Sequence, residues 1–246
     1  AGLCGSVSAI TVQDNFDSDH DYSGKNVTGT IWDGVMINDG THATQDAVVT
    51  LANANVTNPG RLTIQSSNGN WEHATNDGFF LYKNVAGDFV AMVQVISADK
   101  VNYHDLGLMA RVADVSAAGE GEDYVAARYY RNGEVMALRS TDNGSSPVRP
   151  EMGSLRPFLK LERNGNVFTF TAAADANFTV DVLTDSVTRP DLDGLPLQVG
   201  IFQATFSGNV GTAVLDNFSL TYVPEPSAAA FGVAGLTGVT LRRPRR

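Results

Sequence analysis

The chain has 246 residues, 17 basic against 27 acidic, with 43% hydrophobic and 18% charged residues, 24 Gly and one Cys. This composition excludes a disordered chain and suits one large β domain or two small ones. A formal net charge of −10 and a pI near 4.7 exclude the basic face that nucleic-acid binding needs, so no nucleic acid partner is expected. Four of the basic residues are Arg242, Arg243, Arg245 and Arg246, leaving 13 basic and 26 acidic residues in positions 1–223. A lone Cys4 cannot close an internal disulfide, which excludes a disulfide scaffold and a multi-cysteine metal site.

At the N-terminus, Val7-Ser8-Ala9 offers small residues at the −3 and −1 positions that signal peptidase accepts, so residues 1–9 read as the tail of a signal peptide. Cys4 raises the alternative of lipidation, but Leu3 precedes it where a small residue is wanted, and Cys4 is expected to leave with the signal. The first strand signal is Val12-Gln13-Asp14-Asn15-Phe16, and its pattern recurs near the other end as Val214-Leu215-Asp216-Asn217-Phe218. If both are strands, the parity that buries Val and Phe turns Asp14 and Asp216 inward. An inward carboxylate must be hydrogen-bonded, paired or metal-bound, which leaves two readings: bonds from local backbone amides, or a calcium site shared by the first and last strands.

Asp17-Ser18-Asp19-His20-Asp21 carries alternating carboxylates of the kind that converge on a hard cation such as Ca²⁺. Thr28 stands where an EF-hand loop has its distal Glu, so an acidic solvated loop is the competing reading. His20, His42, His73 and His104 are scattered without a zinc-ligand spacing. Among aromatics outside strand cores, Trp71, Tyr103, Tyr129 and Tyr130, with Arg131 adjacent, are the candidates for stacking a sugar ring and bonding its hydroxyls. Of the adjacent tyrosines, one must face outward in a strand. Arg111 receives no role.

Phe89–Val95, Asn166–Thr171 and Phe178–Val182 are runs of β-branched and aromatic residues, and the last two alternate apolar and polar side chains as strands with one wet face do. Arg163-Asn164-Gly165-Asn166 between two such runs reads as a tight hairpin turn. Similar runs sum to roughly a dozen strands, with no sustained 3.6 period, which predicts a sandwich or jelly roll. No linker breaks residues 10–223, so they form one domain. Glu120-Gly121-Glu122-Asp123 has the charges of a glycosidase strand but the wrong spacing, and no Gly-x-Ser-x-Gly elbow occurs, so the domain is expected to be non-catalytic.

After Val223, Pro224-Glu225-Pro226 stops the last strand, fourteen uncharged residues follow from Ala228 to Leu241, and four arginines end the chain. As an apolar helix this stretch would span about 21 Å, short of the roughly 30 Å hydrocarbon core, which suits a transient inner-membrane anchor with its basic end cytoplasmic. The three-part pattern resembles the PEP-CTERM sorting signal of Gram-negative bacteria that make extracellular polysaccharide. That resemblance implies an exosortase-type partner, cleavage near Pro224-Glu225-Pro226, and delivery to the cell surface or matrix.

Asp77-Gly78-Phe79-Phe80-Leu81-Tyr82, Val85–Phe89, Leu106–Arg111, Leu159–Asn166, Val199–Phe202 and Val214–Phe218 follow the order seen in concanavalin A-like jelly-roll domains. Asp14-Asn15-Phe16 and Trp32 resemble the opening strand of that family, whose branch found as accessory domains of glycosidases is the nearest match. The resemblance implies an antiparallel two-sheet sandwich, often glycan-binding, to which the tail adds a short C-terminal apolar helix. The expected protein is an exported, non-catalytic surface or matrix protein that binds extracellular polysaccharide. The alternatives are a structural matrix protein without a small ligand, and a glycoside hydrolase or lyase on the same fold.

Overall fold

The structure, a computed structural model, describes residues 8–37, 47–71, 78–113, 123–142, 145, 149–206 and 208–223. Residues 1–7 with Cys4, His42, His73, residues 120–122 and the whole sorting tail, including Pro224, Glu225, Pro226, Arg242, Arg243, Arg245 and Arg246, lie outside the described residues, as does the expected C-terminal helix.

In chain order the strands are β1 Ile10–Asp14, β2 His20–Asp21, β3 Gly34–Met36, β4 Val48–Ala54, β5 Leu62–Ser67, β6 Phe79–Val85, β7 Phe89–Ala98 and β8 His104–Val112. They continue as β9 Tyr124–Tyr130, β10 Val135–Thr141, β11 Gly153–Ser154, β12 Phe158–Asn164, β13 Val167–Ala173, β14 Leu183–Thr188, β15 Leu197–Thr205 and β16 Gly211–Tyr222. A 3₁₀ turn at Pro190–Leu192 links β14 to β15. Two antiparallel sheets result. One runs β14-β13-β12-β7-β16-β5-β4-β2, with β1 also on β16, and the other runs β11-β10-β9-β8-β15-β6-β3.

Alternation builds the core between these sheets. Phe89, Ala91, Val93 and Val95 of β7 face Leu106, Leu108 and Ala110 of β8 across it, while Leu159, Leu161, Phe168 and Phe170 extend it toward one edge. The seven-stranded sheet is unusual in that its other face is also partly buried. Phe80, Met109, Tyr124, Ala126, Phe202 and Ala204 form a second apolar cluster there, covered by Trp71. Within this sheet β15 and β6 approach closely enough to demand glycine at position 200, because a Cβ there would lie 1.9 Å from the Leu81 carbonyl oxygen.

Closure of the domain follows the repeated pentapeptides. β1 pairs with β16 from Ile10↔Tyr222 to Asp14↔Phe218, and β5 pairs with the earlier half of the same strand, from Gly211↔Ser66 to Leu215↔Leu62. Between the two halves sits a bulge, where Asn217 takes φ +53° and the register against β7 shifts between Asp216 and Ser219. The extra residue resets the parity: Leu215 and Phe218 both face the core, and Asp216 turns away from it to pair with Arg61. The inward orientation that simple alternation predicts for Asp216 is therefore corrected by the bulge.

Two local expectations also change. Phe178–Val182 is not a strand, because Phe178 and Asp181 adopt positive φ and the Asp175 carboxylate accepts the N–H groups of Thr179 and Val180, folding the segment into a loop before β14. The β12–β13 hairpin forms, but its two turn residues are Gly165 and Asn166, with Gly165 alone at positive φ and its N–H given to Asp88.

One buried polar node ties the sheets together. His104 Nδ1 donates to the Asp99 carbonyl at 2.8 Å, which leaves Nε2 to accept from Gln203 Nε2 at 3.1 Å. Gln203 Oε1 in turn accepts the Ser66 hydroxyl at 2.6 Å, joining β15 of one sheet to β5 of the other. Burial holds the His104 imidazole below its ordinary pKa. As pH falls below about 6.5 the unfolded chain therefore takes up the proton more readily, and stability that is complete above that pH is progressively lost. Chemical denaturation from neutral pH to about pH 5 should show this fall, and His104→Gln should flatten it. Gly200→Ala should lower the unfolding free energy by about 1–3 kcal/mol in the same assay, through overpacking against β6.

Candidate functional site on the outer face of the seven-stranded sheet

The N–H of Gly69 donates to the Thr205 carbonyl at 2.9 Å, which steers the chain after β5 over the end of β15 and lays Asn70 and Trp71 on the outer face of the sheet. Trp71 is 2% exposed. Its carbonyl accepts the Tyr124 hydroxyl and, at 3.1 Å, Arg139 Nη1, and Arg111 lies 5.9 Å from its ring centre. The indole N–H is buried without a hydrogen-bond partner among the described residues and presses on residue 78, where a Cβ would come within 2.2 Å of it and only glycine fits.

Beside this lid opens a groove of about 160 Å³, lined by Asn70, Trp71, Tyr103, Asp105, Arg128 and Phe206. Strand parity aims the polar pair: Asp105 and Arg128 lie on the face opposite Leu106, Leu108 and Ala127, which point into the core. Arg128 Nε donates to Asp105 at 2.6 Å, and the guanidinium lies 4.0 Å from the Tyr130 ring centre. No further hydrogen bond of the Arg128 guanidinium is formed with the described residues. Tyr103, at φ +54° and 52% exposed, forms the rim and is braced by the edge of Phe206, with ring centres 5.4 Å apart. An exposed aromatic face next to a donor fork and a carboxylate can stack on an apolar ring face and bond the hydroxyls around it.

Of the aromatics expected to hold a sugar, the structure brings Trp71 and Tyr103 to this groove, with different parts. Trp71 corrects the expectation of a stacking platform, since its ring is packed among core side chains and has no free face. Tyr130 lies on the same sheet face under Arg128, whereas Tyr129 points the other way and packs on the main core, where burial raises its pKa. Arg131 sits in the β9–β10 hairpin, bonded to the Ala98 carbonyl and to Glu134. Sequence reasoning missed Asp105, Arg128, Asn70 and Phe206. The signal for the first two was the alternation itself, since Asp105 precedes Leu106-Gly107-Leu108 and Arg128 shares parity with Tyr130.

The acidic residues expected to bind metal do not converge among the described residues. Asp14 accepts the Phe16 N–H and the Trp32 indole N–H, both at 2.8 Å, so the local-bonding reading describes it. Asp19 accepts from Asn55, Asp21 from Ser23, Asp17 is exposed beside Gly60, and Asp216 pairs with Arg61. The carboxylates that do approach one another, within 4.8 Å, are Asp123, Asp142 and Asp191. There Arg189, 4% exposed, already supplies a cation to Asp191 at 2.5 Å and Asp123 at 3.3 Å.

Two antiparallel sheets of this order, with first and last strands adjacent, define a two-sheet jelly-roll β sandwich. No protein-family model matches the chain, and no curated protein does. Among solved structures it is similar to a functionally unknown protein from Saccharomyces cerevisiae at 17% identity and a TM-score of 0.53, over 68% of this chain and 89% of that one. It is also similar to xylan β-1,4-xylosidase from Bacillus halodurans C-125 (12%, TM-score 0.49, 68% of this chain and 34% of that one). Arcelin-5, a lectin-like defense protein from Phaseolus vulgaris, aligns over 87% of this chain and 97% of its own at 9% identity and a TM-score of 0.49. These likenesses concern the fold.

The division of labour between the two aromatics is measurable. Trp71→Ala should cost about 3–5 kcal/mol in urea denaturation, as expected for a large buried ring. Tyr103→Ala should stay within about 0.5 kcal/mol of the parent.

Proposed function

We propose that the protein is an exported, non-catalytic surface or matrix protein that binds extracellular polysaccharide along the groove beside Tyr103. The observation that carries this reading is the juxtaposition of a half-exposed, braced tyrosine ring with the Asp105–Arg128 pair, whose remaining guanidinium donors have no partner among the described residues. A sugar ring stacks its apolar face on the tyrosine, its hydroxyls accept from Arg128 and donate to Asp105, and a longer chain continues along the open sheet face. Among the described residues a single carboxylate lines the groove, whereas glycoside hydrolysis in most families uses two. Export is supported by the small-residue signal ending at Ala9. Sorting by an exosortase-type enzyme, with transient inner-membrane anchoring, is supported by Pro224-Glu225-Pro226, the apolar stretch and the four terminal arginines.

A glycan array, followed by titration with purified bacterial exopolysaccharide, tests the reading. Tyr103→Ala and Arg128→Gln should each weaken binding about tenfold with the fold intact, and no reducing ends should be released. Absence of any bound glycan would leave a structural matrix protein, and release of reducing ends would establish the enzyme alternative.

A further inference from the structure

A second and larger cavity, about 460 Å³, opens in the chain between β1 and β3, with Ala54 of β4 contributing to its wall. Its lining is mixed, apolar at Ile31 and Ala54 and polar at Asp14, Asp19, His20 and Thr28 among others. That volume falls within the range of small-molecule sites, which is far more than a bare ion fills.

Two features of the lining select a ligand. The first is uncompensated negative charge. Each oxygen of the partly buried Asp14 carboxylate meets one neutral N–H donor, from Phe16 and from Trp32, and among the described residues neither lysine nor arginine pairs with it. The charges that act on Asp14 are those of Asp17 and His20, and desolvation is the larger influence, raising its pKa. Asp19, which also lines the cavity, is bonded among the described residues only to the neutral amide of Asn55. A partly buried carboxylate such as Asp14, lacking a cationic side-chain partner, is stabilised by a cation brought from outside. The second feature is unused hydroxyl chemistry. Ser18 and Thr28 side-chain hydroxyls form no hydrogen bond with the described residues. His20 donates Nε2–H to the Asn26 carbonyl at 2.8 Å, which in the neutral ring leaves Nδ1 as an acceptor. His20 is also held against Tyr22, with ring centres 4.5 Å apart.

We infer that this cavity binds a small polyhydroxylated ammonium compound, an amino sugar with a free amine, the ammonium lying at Asp14 and Asp19 and the hydroxyls at Ser18, Thr28 and His20. The site is independent of the groove beside Tyr103, and a failure of one reading leaves the other intact.

Calorimetric titration of the full chain with glucosamine at neutral pH tests it, with glucose, N-acetylglucosamine and CaCl₂ as parallel probes. In the Tyr103→Ala background, which removes the groove's stacking ring, glucosamine should bind saturably, while glucose and N-acetylglucosamine, which share its ring but lack the charge, should not. Asp14→Asn should weaken glucosamine binding about tenfold or more. The double variant Ser18→Ala/Thr28→Val, which leaves the carboxylates in place, should weaken it as well, and serves if Asp14→Asn does not fold. Tyr103→Ala should leave it unchanged. In that background, binding of glucose or N-acetylglucosamine as tight as glucosamine, no binding of glucosamine to the folded chain, displacement of glucosamine by Ca²⁺ at equal concentration, or full affinity in the folded Asp14 and Ser18/Thr28 variants would each overturn the inference.

Discussion

The structure depends on one constraint, that the seven-stranded sheet must be covered on both faces near the ends of β8, β9 and β15. Alternation sends half its side chains into the space between the sheets, which is the ordinary requirement of a sandwich. The other half, Phe80, Met109, Tyr124, Ala126 and Phe202, are too apolar to face water together. Trp71 covers them, and the groove opens between Trp71 and the Asp105–Arg128 pair. Gly78 is a consequence of the same crowding, since a side chain there would meet the Trp71 ring. The groove is thus the rim of a packed surface rather than a hole in a loop region, and its polar pair is held by strands on both sides.

Buried polar groups divide into those that hold the sandwich together and those left with capacity to spare. His104, Gln203 and Ser66 form a closed set that links the sheets. Arg189 is similarly saturated, donating to backbone carbonyls of Tyr124 and Thr141, to Ser140 and to two aspartates. Such networks rigidify a fold and have little left to offer a ligand. Arg128 and Asp14 differ. Among the described residues, Arg128 keeps guanidinium donors beyond its one bond to Asp105, and Asp14 has no lysine or arginine partner. Both line cavities, which is why the functional readings rest on them.

The class of fold was legible because it rests on short-range pattern. Alternating runs such as Phe168-Thr169-Phe170, the absence of a helical period, and the twin Val-x-Asp-Asn-Phe segments pointed to a closed two-sheet sandwich, and β1 does lie beside β16. The boundaries were legible where a strand signal ended in a residue that cannot continue it. They failed at Phe178–Val182, where alternation was present but the Asp175 side chain captured the backbone amides that a strand would have given to its neighbour.

What the sequence by itself determined was therefore periodicity, composition and charge: an acidic, all-β chain of alternating strands, with Tyr103 a candidate outside the strand cores. What only the tertiary structure decided was which side of a sheet each residue occupies and what lies across from it. A single bulge at Asn217 reversed the orientation of Asp216, and a crossing segment buried Trp71 while leaving Tyr103 exposed. Asp105 and Arg128 became a pair through strand register, between residues far apart in the chain. Those outcomes depend on contacts across long sequence separations, and alternation within a strand carries no information about them until the sheets are packed.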